Sequence, residues 1–145
     1  WAQESVSAKA MSMLADKAVV SRLTYMDQDI LNLILLGKVK FIDAKYNTQF
    51  SLNYELKKSF ICPINDETVL IHYVGPTKPW HYWAGYPSAQ PFIKAKEASP
   101  WKNEPLMRPV NSNYARYCAK HNFKQNKPIN GIMNYIYYFY LKIIK

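Results

Sequence analysis

Apolar residues recur at helical spacing near the start of the chain. Val6, Ala10, Met13 and Leu14 predict a helix over residues 4–16, and Ala8 and Ala10 favour that state. A second helix is expected over residues 26–36. Thr24 is placed to cap it, and Asp27 and Asp29 fall in or near its first turn, where negative charge suits the helix dipole. Gly37 follows the last apolar residue and is a natural stop. The pattern then changes. Residues 39–42 read as a short strand and residues 45–49 as a polar loop. Residues 68–74 form a β-branched, nearly all-apolar run, which predicts a strand buried on both faces. Gly75-Pro76 ends it abruptly. Further helices are expected over residues 91–98, with Pro91 in the first turn, and over 114–124 and 132–144. This alternation predicts an α/β layer fold with too few strands to close a sheet alone.

Composition narrows the picture. The 145 residues amount to roughly one domain. Apolar side chains make up 49%, enough for a packed core, and the 4 Gly against 9 Pro exclude a collagen-like or flexible-linker chain. No apolar run approaches the length of about 18 residues that a membrane span needs. Cys62 and Cys118 lie far apart and form no CxxC, so both are expected to be free thiols in a reducing compartment. The chain opens at Trp1 without a basic segment leading into an apolar one, so no signal peptide is visible. Such a start is expected of a cut end within a larger protein.

Charge divides the chain. The net charge is +9, which favours an anionic partner and says nothing about fold. Residues 1–93 carry nine Lys/Arg and eight Asp/Glu, whereas residues 94–145 carry ten Lys/Arg and only Glu97 and Glu104. Prolines thicken at the same place, from Pro87 to Pro109. Two regions are therefore expected: a catalytic or core module over 1–86 and a basic, aromatic segment over 87–145.

The most informative segment is Ile71-His72-Tyr73-Val74-Gly75-Pro76-Thr77-Lys78-Pro79-Trp80-His81. A strand delivers a His near its C-terminal end, where ligand sites of open α/β sheets lie. Neutral imidazole is a good metal ligand. Gly75 permits close backbone approach to a bulky anion, and Lys78 is a point charge suited to phosphate. Together they could grip a metal–diphosphate unit. A core His followed by a Pro-rich turn is the plainer reading of the spacing alone. Asp27-Gln28-Asp29 could aim at a sugar hydroxyl or simply cap a helix. Lys45-Tyr46-Asn47-Thr48-Gln49-Phe50 could bind through its amides or be a solvated loop.

Taken together and in order, these motifs resemble the C-terminal half of a family 8 glycosyltransferase. They are Asp27-Gln28-Asp29, then Asp43-x-Lys45-Tyr46-Asn47-x-Gln49, then His72-Tyr73-x-Gly75-Pro76-x-Lys78-Pro79-Trp80. More narrowly, the whole chain resembles the bacterial lipopolysaccharide core α-glucosyl- and α-galactosyltransferases. Ser99-Pro100-Trp101, Arg116-Tyr117, Ala119-Lys120-His121 and the Tyr-rich end contribute to the match. The resemblance implies an α/β fold, the C-terminal portion of a GT-A (Rossmann-like) domain plus a helical basic tail. It implies a retaining transfer of glucose or galactose from UDP-glucose or UDP-galactose to the lipopolysaccharide core, with a divalent cation, Mn²⁺ or Mg²⁺. His72 matches the metal ligand, Gly75 and Lys78 the residues that hold the diphosphate, and Asp27 and Gln28 the pair beside the donor sugar. The family's Asp-x-Asp metal motif is not in this chain. Asp27-Gln28-Asp29 matches a different acidic motif, so the chain is expected to be inactive alone.

The tail allows two readings. Ile132, Ile136, Phe139 and Ile143 share one helical stripe flanked by tyrosines and lysines. Such a helix can lie in an anionic membrane interface, or pack its stripe on the catalytic domain. The resemblance favours the first, with the protein cytoplasmic and peripheral on the inner face of the cytoplasmic membrane. A nucleic-acid-binding module would explain the lysines and aromatics but not the His72–Lys78 motif, and no RRM, KH or zinc-ligand pattern appears, so no nucleic-acid partner is expected. A folded, non-catalytic remnant of a transferase is the other alternative.

Overall fold

The computed structural model describes residues 5–144. The chain forms two compact units, Trp1–Ile42 and Asp43–Lys145. The first is helical: α1 (Val6–Ala15), α2 (Lys17–Val20) and α3 (Met26–Ile34). Asp16 ends α1 and its side chain accepts from the Ala18 amide at 2.8 Å, so one residue both breaks a helix and caps the next. Among the described residues of this unit, Val6 and Ile30 are the buried apolar side chains. The first predicted helix is present, although Glu4 lies outside the described residues. The second starts at Met26 as expected, but Thr24 does not cap it. Instead the Asp29 carboxylate reaches back and accepts from the Thr24 and Tyr25 amides, each at 2.8 Å. These amides stand just ahead of the helix, so the contact is like the return arm of a capping box, and no described side chain caps the first amides of the helix itself. Gly37 sits at φ +74°, the left-handed turn expected at the helix end.

The predicted strand over 39–42 is absent. Those residues run without regular structure, and Phe41 is 91% exposed. Two strands form in the second unit. β1 (Thr48–Phe50) pairs in parallel with β2 (Ile71–Tyr73), in the register Thr48 to Ile71, Gln49 to His72 and Phe50 to Tyr73. The segment read as a polar loop is thus a 3₁₀ turn (Ala44–Asn47), whose first amides Asp43 helps to satisfy, followed by β1. The strand predicted over 68–74 shortens to three residues and is not buried on both faces. Val69 and Leu70 are exposed because a two-stranded sheet covers them on neither side.

Three helices follow. α4 (Gln90–Glu97) has Pro91 in its first turn, α5 (Ser112–Lys124) is capped by the Asn111 side chain, and α6 (Pro128–Ile143) starts four residues before the expected position. α5 and α6 form a helical hairpin. Its tight link needs Asn126 at φ +56°, and Gly131 lets α6 approach α5, since a Cβ there would lie 2.6 Å from the Phe123 ring. The apolar core of this unit is Phe50, Leu52, Ala84, Tyr86 and Ala89. Cys118 is buried and Cys62 exposed, both as free thiols.

A polar knot joins this core to α5. His121, fully buried, has Nε2 at 3.0 Å from Thr77 Oγ1 and 3.2 Å from Asn53 Oδ1, and Nδ1 at 2.7 Å from Tyr86 OH. The Asn53 oxygen can only accept, so Nε2 carries the proton and Nδ1 accepts from Tyr86. The neutral ring is fully satisfied. Burial, helped by His81 and Lys120 nearby, lowers its pKa to about 4. Burial and then Lys78 hold His81 at about 4 as well. Both pKa values lie below the unfolded value, so between about pH 6.5 and 4 the unfolded chain takes up protons that the folded one refuses. The stabilisation is fully present above that window and is lost as pH falls through it. Urea unfolding at pH 7.5 and at pH 5 is expected to show lower stability at pH 5. His121→Gln should be less stable than wild type at pH 7.5 but show a smaller difference between the two pH values.

Candidate active site

β2 and the turn after it build the candidate site. Side chains alternate along the strand, so Tyr73 turns toward the core and His72 away from it. The Tyr73 hydroxyl donates to the Ser88 carbonyl at 2.7 Å and anchors the strand from below. Burial, with the Cys62 thiol adding to it, pushes the Tyr73 pKa up to about 12, so the hydroxyl remains a donor. His72 is exposed, and its Nδ1 lies 3.1 Å from Asn47 Oδ1, at the residue that leads into β1.

The turn is fixed by geometry at its first residue. Gly75 sits at φ +81°, and a Cβ there would come within 2.7 Å of Ser51 Oγ. Only glycine meets both conditions. The ladder continues past the named strand, with the Val74 amide donating to Phe50 O at 2.9 Å. Thr77, two residues after Gly75, is the point where the turn is tied to His121. The Lys78 amide then donates to His81 Nδ1 at 3.1 Å, and its ammonium turns back to donate to the Tyr73 carbonyl at 2.5 Å. Nδ1 of His81 therefore accepts and its Nε2 holds the proton, a buried donor without a partner among the described residues. The His81 ring stacks on Trp83 with centroids 4.2 Å apart, so aromatic packing holds it in place.

His72 and Lys78 line the same open cleft, about 690 Å³ in volume, together with Trp80 and Phe92. That volume falls in the range of small-molecule sites. The turn between the two side chains exposes Gly75. The segment thus brings an imidazole and an ammonium to one cleft, with an exposed glycine in the turn between them. Asp27 and Gln28, also singled out in the sequence, are exposed in the first turn of α3 and belong to the first unit. Sequence reading missed Asn53, Thr77, Tyr86 and His121 as the support beneath the turn. His121 is 44 residues from Thr77, and no local spacing signals such a contact.

Comparison with known proteins decides the family. Residues 1–84 match the model of glycosyl transferase family 8, and residues 86–142 match that of the family's C-terminal region. The chain belongs to glycosyltransferase family 8. Among curated relatives, lipopolysaccharide glucosyltransferase WaaO of Escherichia coli K12 is 54% identical over 144 residues, covering 99% of this chain and 42% of the relative. Lipopolysaccharide 1,3-galactosyltransferase of Salmonella typhimurium is 52% identical over 145 residues, covering all of this chain and 43% of the relative. Lipopolysaccharide 1,2-glucosyltransferase of Escherichia coli K12 is 37% identical over 137 residues, covering 92% of this chain and 40% of the relative. The chain thus spans about two-fifths of the length of these relatives. No solved structure matches it. The α/β class holds in coarse form, as helices together with a small parallel sheet in a family 8 chain.

Gly75 gives the sharpest test of this geometry. Gly75→Ala is expected to destabilise the chain by about 1–3 kcal/mol, through the left-handed backbone and the contact with Ser51. In a Ser51→Ala background the loss should be smaller, because the steric part is relieved while the backbone part remains. Urea midpoints of the four proteins, taken as a double-mutant cycle, measure the difference.

Proposed function

We propose that the whole protein containing this chain transfers glucose or galactose from UDP-glucose or UDP-galactose to the lipopolysaccharide core with retention of configuration. The observation that carries this reading is that His72 and Lys78 line one cleft, with an exposed Gly75 in the turn between them, in a family 8 chain. The named relatives are lipopolysaccharide glucosyl- and galactosyltransferases, which supplies the substrate class. Activity belongs to the complete catalytic domain, and the chain alone is proposed to be inactive.

The residues fit the work in chemical terms. Breaking the bond between sugar and diphosphate places negative charge on the departing group. The Lys78 ammonium has three donors and spends one on Tyr73 O, so two remain for phosphate oxygens. Charge aimed at that group stabilises the transition state more than the ground state. Gly75 lets the backbone come close to the anion. His72 fits a divalent cation such as Mn²⁺ or Mg²⁺ as one ligand, because one ring nitrogen meets Asn47 and the other is left for coordination. Among the described residues no cluster of three His, Cys, Asp or Glu surrounds it, so the remaining ligands belong to other parts of the whole protein. The cation, when bound, supplies positive charge at the diphosphate. Asp27 and Gln28 are assigned to the donor sugar. The neutral amide of Gln28 can turn its carbonyl oxygen toward a cationic sugar without collapsing onto it as readily as a carboxylate would.

The tail is proposed to hold the protein on an anionic membrane surface at the cytoplasmic face. Ile132, Ile136, Phe139 and Ile143 are all exposed, up to 84% at Ile143, so the stripe is not packed on the second unit. No described helix is long and apolar enough to cross a membrane. An interfacial helix needs only one apolar face flanked by aromatic and basic residues, and α6 has Tyr137, Tyr140 and Lys142 around its stripe.

Two measurements test these assignments. His72→Ala in the full-length protein is expected to lower metal-dependent sugar transfer at least a hundred-fold, by the scale of a lost transition-state interaction. An unchanged rate and metal dependence would remove His72 from the site. Replacing Ile136, Phe139 and Ile143 together by Ser should release the protein from anionic vesicles in a flotation assay while leaving its circular dichroism unchanged. Equal flotation would remove the membrane role.

A further inference from the structure

The contact between Asn47 and His72 joins two segments 25 residues apart in sequence and adjacent in space. Asn47 closes the 3₁₀ turn Ala44–Asn47, and the next residue opens β1. The parallel register sets Gln49 beside His72, which brings Asn47, two residues earlier, alongside the imidazole. The turn itself is secured at both ends. Asp43 accepts from the Lys45 amide at 2.9 Å, and the Lys45 carbonyl accepts from the Val69 and Leu70 amides that lead into β2, each at 3.0 Å. The Asn47 side chain therefore stands on a braced piece of backbone rather than on a free loop.

The chemistry of the contact has a direction. A carboxamide oxygen accepts and cannot donate, so the imidazole nitrogen facing it must carry a proton. In the neutral ring the other nitrogen, Nε2, then holds a bare lone pair. No other hydrogen bond reaches the ring among the described residues, and His72 lines the open cleft shared with Lys78. A free imidazole in water prefers the opposite arrangement, with the proton on Nε2, which would block that nitrogen as a ligand. Metal-ligating histidines generally donate their second N–H to an acceptor that fixes the ring.

We propose that Asn47 is a positioning residue for the metal: its carboxamide oxygen holds His72 in the tautomer whose Nε2 can bind a divalent cation. This rests on the reading of His72 as a metal ligand. Asn47 touches neither substrate nor reacting atoms. It acts on ring orientation and on which nitrogen is bare. The neighbouring polar side chains do not duplicate it: the Thr48 hydroxyl donates to the Ala44 carbonyl, and among the described residues no hydrogen bond joins Gln49 to the ring.

The test begins without metal. In the chain labelled with ¹⁵N-histidine, at about pH 8 where an ordinary imidazole is neutral, the two ring nitrogens of His72 have distinct shifts for bare and protonated states. The expected wild-type spectrum has Nδ1 protonated and Nε2 bare. Asn47→Ala should move the ring toward the Nε2-protonated form, and Asn47→Asp, which keeps an acceptor, should restore the wild-type pattern. Amide spectra of each variant establish that the fold is retained. A wild-type His72 with Nε2 protonated, or an Asn47→Ala spectrum identical to wild type, overturns the proposal.

Mn²⁺ is then added. Selective broadening of the His72 ring is expected in wild type, with about ten-fold more Mn²⁺ needed in Asn47→Ala for the same effect. The expected tautomer without any selective broadening would overturn the metal reading itself and, with it, the purpose assigned to Asn47. The tautomer result and the Mn²⁺ result thus separate a failure of the contact from a failure of the site.

Discussion

The second unit depends on one buried ring. His121 brings a loop, a 3₁₀ turn and a core tyrosine to α5 through three polar contacts, and it does so as a neutral, fully satisfied group. A buried polar side chain is costly unless its hydrogen-bonding groups are met, and every one of these is. The consequence reaches the surface. Thr77 is held from beneath, so the turn from Gly75 to Lys78 is fastened at its middle while Gly75 itself clears Ser51 by lacking a side chain. The turn is therefore tied into the core's geometry. Lys78, folded onto Tyr73 O, and His72, braced by Asn47, present their free groups from a fixed frame.

How much of this was legible in the sequence varies with the range of the interaction. Helices that rest on local spacing and caps were readable: α1, α3, α4 and α5 all appear close to their expected places. The strands were less so. The run from Thr68 to Val74 has strand chemistry throughout, but only Ile71–Tyr73 lies in regular register with a neighbouring strand, because strand length is set by pairing rather than by propensity. Residues 39–42 failed for the same reason, having β-branched and aromatic side chains but no neighbouring strand. Tyr25 rather than Thr24 stands at the start of α3, and Asp29 reaches back to both of their amides, a contact that spacing alone does not signal.

The candidate site divides similarly. His72, Gly75 and Lys78 lie within seven residues, and their chemistry could be read in order along the chain. Their supports could not. Asn47, Ser51, Asn53 and His121 reach them across 24 to 68 residues of sequence or pack on those that do, and only the folded chain brings them together. The +9 charge also resolves into distinct places. Lys78 sits in the cleft, whereas α5 and α6 display basic residues around exposed aromatic and aliphatic faces. Counted as a total, the charge pointed only to some anion. Placed on the fold, it is split between a cleft and the exposed faces of two helices.

The central claim is that the turn from His72 to Lys78 grips a diphosphate. Amide chemical-shift mapping of the full-length protein with UDP and Mn²⁺, against uridine and Mn²⁺ as control, tests it most directly. The account predicts shifts concentrated at Gly75, Thr77 and Lys78 with UDP and none there with uridine. Shifts of equal size with both compounds, or UDP-induced shifts confined to α5 and α6, would contradict it.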